Sequence, residues 1–312
     1  MQNYSKGISL VVLAALCWAT SSILINLIVQ ESGISAVSLA FWRDLTTSLV
    51  LIIFILLFHP GLFRISRENL PWLIAMGVIS IGLFHVLWNT SVVLFGASVA
   101  TVIQSNAPIF VTIIARFVFS EAINPRKIVA VAFSVIGTIL SSGLTKSGIG
   151  QISTLGLLAA LGSAIAYGTF PLFGRKLAGD TNSWTIMLYA FIFGTLTLLP
   201  FQIGKPLPFP VSSQVYLYFI IFVIISTIGG FGIFSMSLKY LPASIASITA
   251  TAEIVFASIM AYIFLGERLD IWQWIGAACV MSGVILVSIT NGYNKPGPQN
   301  SMEKLDSNGC PG

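Results

Sequence analysis

Charged side chains are almost missing from this chain. Lys, Arg, Asp and Glu make up 8% of its 312 residues, whereas soluble domains carry about 25%. That scarcity excludes an ordinary water-soluble globular protein. Histidine and cysteine are also rare, with 2 and 3 copies. Cys17 and Cys279 lie inside apolar segments and Cys310 lies near the C-terminus, so neither a disulfide framework nor a metal-ligand spacing exists. The sequence has no Walker A phosphate loop, which excludes direct drive by ATP. It also lacks a haem motif, an arginine ladder for sensing voltage and a selectivity-filter sequence. No cofactor and no metal are expected. The net charge of +5 is scattered through short connections. That pattern fits membrane topology and argues against nucleic acid as a partner.

What the chain does have is hydrophobic sequence, 56% of the total with a mean hydropathy of +0.94. A spanning helix needs about 20 mostly apolar residues. Ten segments qualify: roughly 7–29, 36–58, 71–94, 98–119, 127–143, 155–175, 183–203, 214–238, 242–264 and 271–290. The run after Lys6 has no small-residue cleavage site and reads as a retained helix, not a signal peptide. After Asn291 the chain turns polar around Pro296, Gly297 and Pro298, which predicts a disordered cytoplasmic tail over 292–312. With the N-terminus inside, eleven Lys and Arg residues fall at inner ends, among them Arg64, Arg67, Arg126 and Lys127. Only three, Lys146, Lys205 and Arg268, fall at outer ends. This bias predicts a multi-pass protein of the inner (plasma) membrane with both termini cytoplasmic.

Residues 91–142 are written again at 237–288, displaced by 146 positions without a gap. Ala97-Ser98-x-Ala100, Glu121 and Gly137 meet Ala243-Ser244-x-Ala246, Glu267 and Gly283. More weakly, Gly7, Ala15, Trp18 and Thr20 meet Gly156, Ala164, Tyr167 and Thr169 at an offset of 149. Ten spans as two copies means five per copy. Five is odd, so the second copy enters the membrane from the opposite side. The expected fold is therefore an all-α polytopic membrane protein of ten transmembrane helices, arranged as two inverted five-helix repeats at 1–145 and 150–291.

These motifs resemble the EamA type of the drug/metabolite transporter superfamily. The resemblance rests on Arg43 early in helix two, Ala97-Ser98-x-Ala100, Pro108-Ile109-Phe110 and Phe119-Ser120-Glu121. In the second half it rests on Ala243-Ser244-x-Ala246, Glu253-Ile254-Val255-Phe256-Ala257 and Leu265-Gly266-Glu267-Arg268-Leu269. It covers residues 7–290. It implies a fold in which helices one, three, four, six, eight and nine surround a central cavity that moves small organic solutes, often outward. Ile254 departs from the family, which usually has proline after the glutamate, so the resemblance gives no ground for a matched pair of broken helices.

Polar and aromatic residues at apolar depth are the candidates for function. Glu253 lies mid-helix on a face shared with Ala246, Thr249, Ala250 and Ala257. It could pair with a cationic substrate group, carry a coupling proton, or hold helix nine to a neighbour. Arg43 could bind a substrate carboxylate or serve structure. A direct pair with Asp44 is not expected, because adjacent helical residues do not face each other. His85 and Asn89 are four residues apart on helix three with Trp88 beside them, and His85 is a second proton candidate. Thr101, Ser105, Pro108 and Thr112 form one face of helix four, flanked by Gln104 and Asn106. There Pro108 frees the carbonyl of Gln104 and marks a local break. Trp18 and Tyr167 are central aromatics related by the repeat. Gly229, Gly230 and Gly232 suggest a gating or closely packed helix eight, and Glu121 and Glu267 suit helix-terminal hydrogen bonds.

The candidate substrate-binding set is therefore Trp18, Arg43, His85, Trp88, Asn89, Gln104, Ser105, Tyr167 and Glu253, with Glu253 and His85 as candidate proton carriers. The expected function is secondary transport, in the direction of export, of small organic metabolites such as amino acids or aromatic amines. The expected partners are a small-molecule substrate, the lipid bilayer and a coupling proton, in a monomer or weak homodimer. A polytopic enzyme acting on lipid, or a channel or sensor, is the alternative.

Overall fold

The computed structural model describes residues 2–95, 100, 103–104, 106–141, 154–205, 211–265 and 270–289. Among the described residues there is no strand; there are one short 3-10 helix (Pro60–Phe63) and ten principal helical stretches. In chain order they are α1 (Gln2–Ser32), α2 (Ala36–Phe58), α3 (Leu70–Leu94), α4 (Ala107–Val118), α5 (Pro125–Ser141), α6 (Thr154–Leu177), α7 (Ser183–Gln202), α8 (Ser213–Ser237), α9 (Ala243–Phe264) and α10 (Ile271–Ser288). Eight are long and apolar enough to cross a membrane; the described part of α4 has 12 residues and α5 has 17. Ala97, Ser98, Thr101, Ser105, Lys146, Glu267, Arg268 and the tail after 290 lie outside the described residues.

Starts of helices are set by local chemistry. Ser35 accepts from the Ser38 amide at the head of α2, and Asn182 accepts from the Trp184 amide at the head of α7. Asp270 and Gln273 form a reciprocal capping box at α10. Each such cap is worth about 1 kcal/mol.

The two repeats, α1–α5 and α6–α10, are inverted and locked into each other. The crossing of α5 and α10 carries the symmetry. A Cβ on Gly137 would lie 2.7 Å from the Gly276 carbonyl and 2.7 Å from Val280. A Cβ on Gly283 would lie 2.9 Å from the Ala130 carbonyl and 3.2 Å from Ser134. Adding 146 turns Ala130, Ser134 and Gly137 into Gly276, Val280 and Gly283. The contacts therefore exchange partners, which is the signature of a two-fold interface. Both glycines let the two backbones touch.

Hydroxyl pairs repeat the exchange. Ser80 on α3 bonds Thr169 on α6 at 2.6 Å, and Ser226 on α8 bonds Thr20 on α1 at 2.5 Å. Each threonine hydroxyl donates to its own helix, to Ala166 and Cys17 carbonyls, so the serines are the donors across the seam. Both serines sit in π-helical stretches, Met76–Leu83 and Phe222–Gly229, again 146 residues apart. Such stretches mark functional positions in helices.

One end of the bundle, where α1 begins, is fastened by polar contacts between repeats. Glu121 accepts from the Ala243 amide at 2.9 Å and from the Ser244 hydroxyl, and Lys127 donates to both Glu121 (3.2 Å) and Ser244 (2.9 Å). Ser120 turns left-handed at φ 53° ahead of this glutamate. Glu121 is thus a helix-terminal partner, and half of the duplicated Ala-Ser-x-Ala and Glu motif is explained. Tyr4 to the Val287 carbonyl (2.6 Å) and Asn69 to Thr181 (3.0 Å) add to the closure between repeats, and Arg175 to the Leu238 carbonyl (2.7 Å) fastens the same end within the second repeat.

Gly137→Ala and Gly283→Ala should each destabilise the protein by about 1–3 kcal/mol through overpacking, read as a lower melting temperature in detergent. Gly61→Ala, with nothing within 4 Å of the added Cβ, should leave the transition in place. Unchanged melting for both seam glycines would rule out the close crossing.

Candidate functional site

Helix α9 and the helical sequence leading into α4 are both interrupted, at corresponding places. Ahead of α4 the chain turns at Asn106, whose amide donates to Ile103 at 3.1 Å, and Ile109 then donates back to Asn106 at 3.0 Å. Pro108 falls in the first turn of the resumed helix, where a missing N–H costs nothing. In α9 the break comes without proline. Thr251 places its hydroxyl 2.6 Å from the Ile248 carbonyl, and backbone bonds shorten to Thr251–Ile248 (3.2 Å) and Ile254–Thr251 (3.1 Å). A threonine hydroxyl that bonds back to the helix substitutes for the lost ladder bond. Glu253 is therefore not mid-helix, as the apolar pattern predicts. It occupies the first turn of the segment Ala252–Leu265, where the helix dipole favours a negative charge.

Between the breaks lies a cavity of about 450 Å³. Its lining includes Trp18, Arg43, His85, Trp88, Asn89, Gln104, Tyr167 and Glu253. Of the candidate substrate-binding set, only Ser105 is not placed, because it lies outside the described residues. The lining runs toward Ile25, Ala36 and Ser258, at the end opposite the Glu121 cluster. Toward that cluster the cavity is floored by aromatic rings. Phe231 packs edge-on against Trp18 (5.0 Å), Phe170 (5.2 Å) and Phe191 (5.3 Å), and Trp18 lies against Phe234 (5.1 Å).

The two central aromatics have matched seats. A Cβ at Gly230 would meet the Trp18 ring at 2.5 Å, so Gly230 exists to admit the indole. Tyr167 instead stacks against Phe84 at 5.2 Å. Phe84 and Gly230 are 146 apart, so the larger ring faces the glycine and the smaller one faces the phenylalanine. Gly232 likewise makes room for Trp184 at 3.1 Å. Close packing thus accounts for the glycines at 230 and 232.

Arg43 and Asp44 do pair, contrary to the sequence expectation. Arg43 Nε and Nη2 donate to Asp44 Oδ1 at 2.9 and 2.8 Å. The neighbour rule holds for short side chains leaving the helix about 100° apart. Here the long guanidinium stem folds round to a carboxylate that is completely buried and needs a cation. The same Nη2 donates to His85 Nε2 at 2.7 Å, and the guanidinium lies 5.5 Å over the Phe222 ring. An accepting Nε2 makes His85 neutral with its proton on Nδ1, which faces Asp44 Oδ2 at 3.5 Å. Asn89 donates to the His85 carbonyl at 2.6 Å, while its Oδ1 has no partner among the described residues. Trp88 Nε1 is also buried without one. Glu253 makes no hydrogen bond or ion pair among the described residues.

Asp44, Phe84, Phe222 and Phe231 were not singled out from sequence. Phe231 carried a signal, since it stands 146 residues from His85. Phe222 carried none.

Comparison with known proteins fits this architecture. The EamA-like transporter family matches residues 5–143 and 154–289. The uncharacterized inner membrane transporter YicL of Salmonella typhimurium is 26% identical over 93% of this chain and 97% of its own length. A probable amino-acid metabolite efflux pump of the same organism is 23% identical over 75% of this chain and 82% of its own. One crystal structure, 17% identical, shares the fold with a TM-score of 0.78 over 92% of this chain and 97% of its own.

Asp44→Asn should cost about 3–5 kcal/mol of stability, because it strands a buried guanidinium. A double Arg43→Met, Asp44→Leu variant should recover most of that loss. Melting temperatures of the three purified proteins test the pair; equal losses for single and double variants would deny it.

Proposed function

The chain belongs to the EamA-like transporter family, and from that premise we propose that it is a secondary transporter carrying a small organic metabolite across the inner (plasma) membrane by alternating access. The observation that carries the proposal is the cavity between the breaks, lined by Glu253, which makes no hydrogen bond or ion pair among the described residues, and by Asn89 and Trp88, whose Oδ1 and Nε1 have no partner among them. Broken helices near the midplane are where inverted-repeat transporters bind substrate, because backbone freed from a helix needs protein, water or ligand. The name efflux pump borne by a relative supports export. The units 1–145 and 150–291 are the moving halves, and the cavity is substrate-accessible from the far end while the Glu121 cluster closes the near one.

The residues take distinct roles in this reading. Trp18 and Tyr167 wall the cavity on a shared pseudo-axis. Gln104, Ser105, Trp88 and Asn89 supply hydrogen bonds. Arg43 holds Asp44 and His85 as a built wall. Glu253 takes the coupling proton or a substrate group, and His85 is the second proton site. The chain makes and breaks no substrate bonds. An amino acid or an aromatic amine fits the lining.

Glu253→Gln should insert and purify as a monodisperse protein yet transport at least about tenfold more slowly, a loss of about 1.4 kcal/mol. Normal flux of the variant from pH 5.5 to 8 in proteoliposomes would remove Glu253 from the mechanism.

For topology, both termini are proposed to be cytoplasmic. In a background without native cysteines, Arg64→Cys should react only with reagent from the cytoplasm and Lys205→Cys only from outside. Both positions are exposed at opposite ends of the bundle. Labelling on the opposite sides would invert the orientation.

A further inference from the structure

The cavity is lined by three side chains that can bear charge: Arg43, His85 and Glu253. Two of them are spent. Both guanidinium contacts to Asp44 fall within 2.9 Å, and the remaining short contact goes to a neutral His85. A ligand carboxylate arriving there would meet a guanidinium whose charge the fully buried Asp44 already balances, with Nη1 as the nitrogen outside these contacts. Breaking one buried ion pair to make another gains nothing and leaves a carboxylate stranded. Glu253 differs, since it has no ion pair or hydrogen bond among the described residues. A half-buried carboxylate facing an apolar, aromatic cavity is poorly solvated, and a cation relieves that cost. Around it stand Trp18, Phe84, Trp88, Tyr167 and Phe231. Aromatic faces attract cations and cover apolar bodies, and repel anions.

We propose that the cavity selects a monovalent organic cation, an amine with an aromatic or apolar body and no free carboxylate, whose ammonium group meets Glu253. The proposal rests on the transport reading above and sharpens it. An amino acid would bring an ammonium for Glu253 but also a carboxylate, for which the one lining cation, Arg43, is already neutralised by Asp44. Asn89 Oδ1, buried and without a partner among the described residues, offers a second acceptor that suits an N–H donor and not an anion.

The test compares matched ligands at pH 7: phenethylamine, phenylalanine and 3-phenylpropionate, with the corresponding indole set. Calorimetry on the purified full-length protein reads binding, and counterflow in proteoliposomes reads transport. Each amine should bind at least about tenfold more tightly than its amino acid, the scale of one desolvated charge contact, and the acids should not bind. Glu253→Gln should erase the preference among the three. Because the comparison within each set uses the unaltered protein, a variant that fails to fold does not remove the test. An amino acid that binds as tightly as its amine, or an amine preference that persists in Glu253→Gln, would overturn the charge assignment while leaving transport intact. Absence of both binding and counterflow for every member would defeat the charge assignment together with the transport reading.

Discussion

Hydrocarbon holds no water to hydrogen-bond a backbone amide, and this constraint governs the whole molecule. An amide without a partner in lipid costs several kcal/mol, so the chain spans as helices. A helix can stop in the membrane only where protein, water or ligand covers the loose ends. Interruptions ahead of α4 and in α9 are therefore informative wherever they occur. Both occur beside the cavity, at positions that the internal repeat brings into correspondence. The two are built differently: Pro108 at the restart of one, the back-bonded Thr251 hydroxyl at the end of the other. Different chemistry at equivalent places argues that the break itself is what the fold requires.

Much of the fold was legible because apolar length and repeat offset are direct readouts of bilayer thickness and symmetry. Ten spans follow from counting hydrophobic residues, and inversion follows from five being odd. Side chains around the cavity were also legible in kind, since a polar or aromatic residue at membrane depth avoids lipid. What was not legible was direction. Whether Arg43 turns toward Asp44 or toward a ligand depends on rotamers and on His85, which arrives from another helix. Nor did sequence reveal that Glu253 opens a helix instead of sitting within one, because a threonine break leaves no proline to read. Phe222 looked like any lipid-facing phenylalanine, yet it is buried under the Arg43 guanidinium.

Interlocking of the repeats explains why the halves are not free domains. Ser80–Thr169 and Thr20–Ser226 each cross from one repeat to the other, and so does the Gly137–Gly276 approach. Neither five-helix half buries these hydroxyls or glycines alone. The contacts between helices are small and polar, as lipid demands, since burial of apolar surface gives helices no reason to prefer each other over acyl chains. The π-helical stretches at Met76–Leu83 and Phe222–Gly229 lie on the same seams. Each stretch thus widens its helix at the point where a serine hydroxyl reaches across to the other repeat.

A symmetric frame would make a symmetric site if its two copies were identical, and they are not. His85 stands where the second copy has Phe231, and Glu253 stands where the first has Ala107, each pair 146 residues apart. Substitution in only one copy puts the polar edge of α3 opposite the aromatic floor of α8, and places one carboxylate where symmetry would give two or none. Two carboxylates facing each other in a cavity this small would repel unless one were protonated. None would leave nothing to distinguish a charged solute from any apolar one. Duplication supplies the symmetric frame, and divergence at a few lining positions gives the cavity its chemical asymmetry. The residues that break the repeat, His85 and Glu253, bring ionisable groups to the lining.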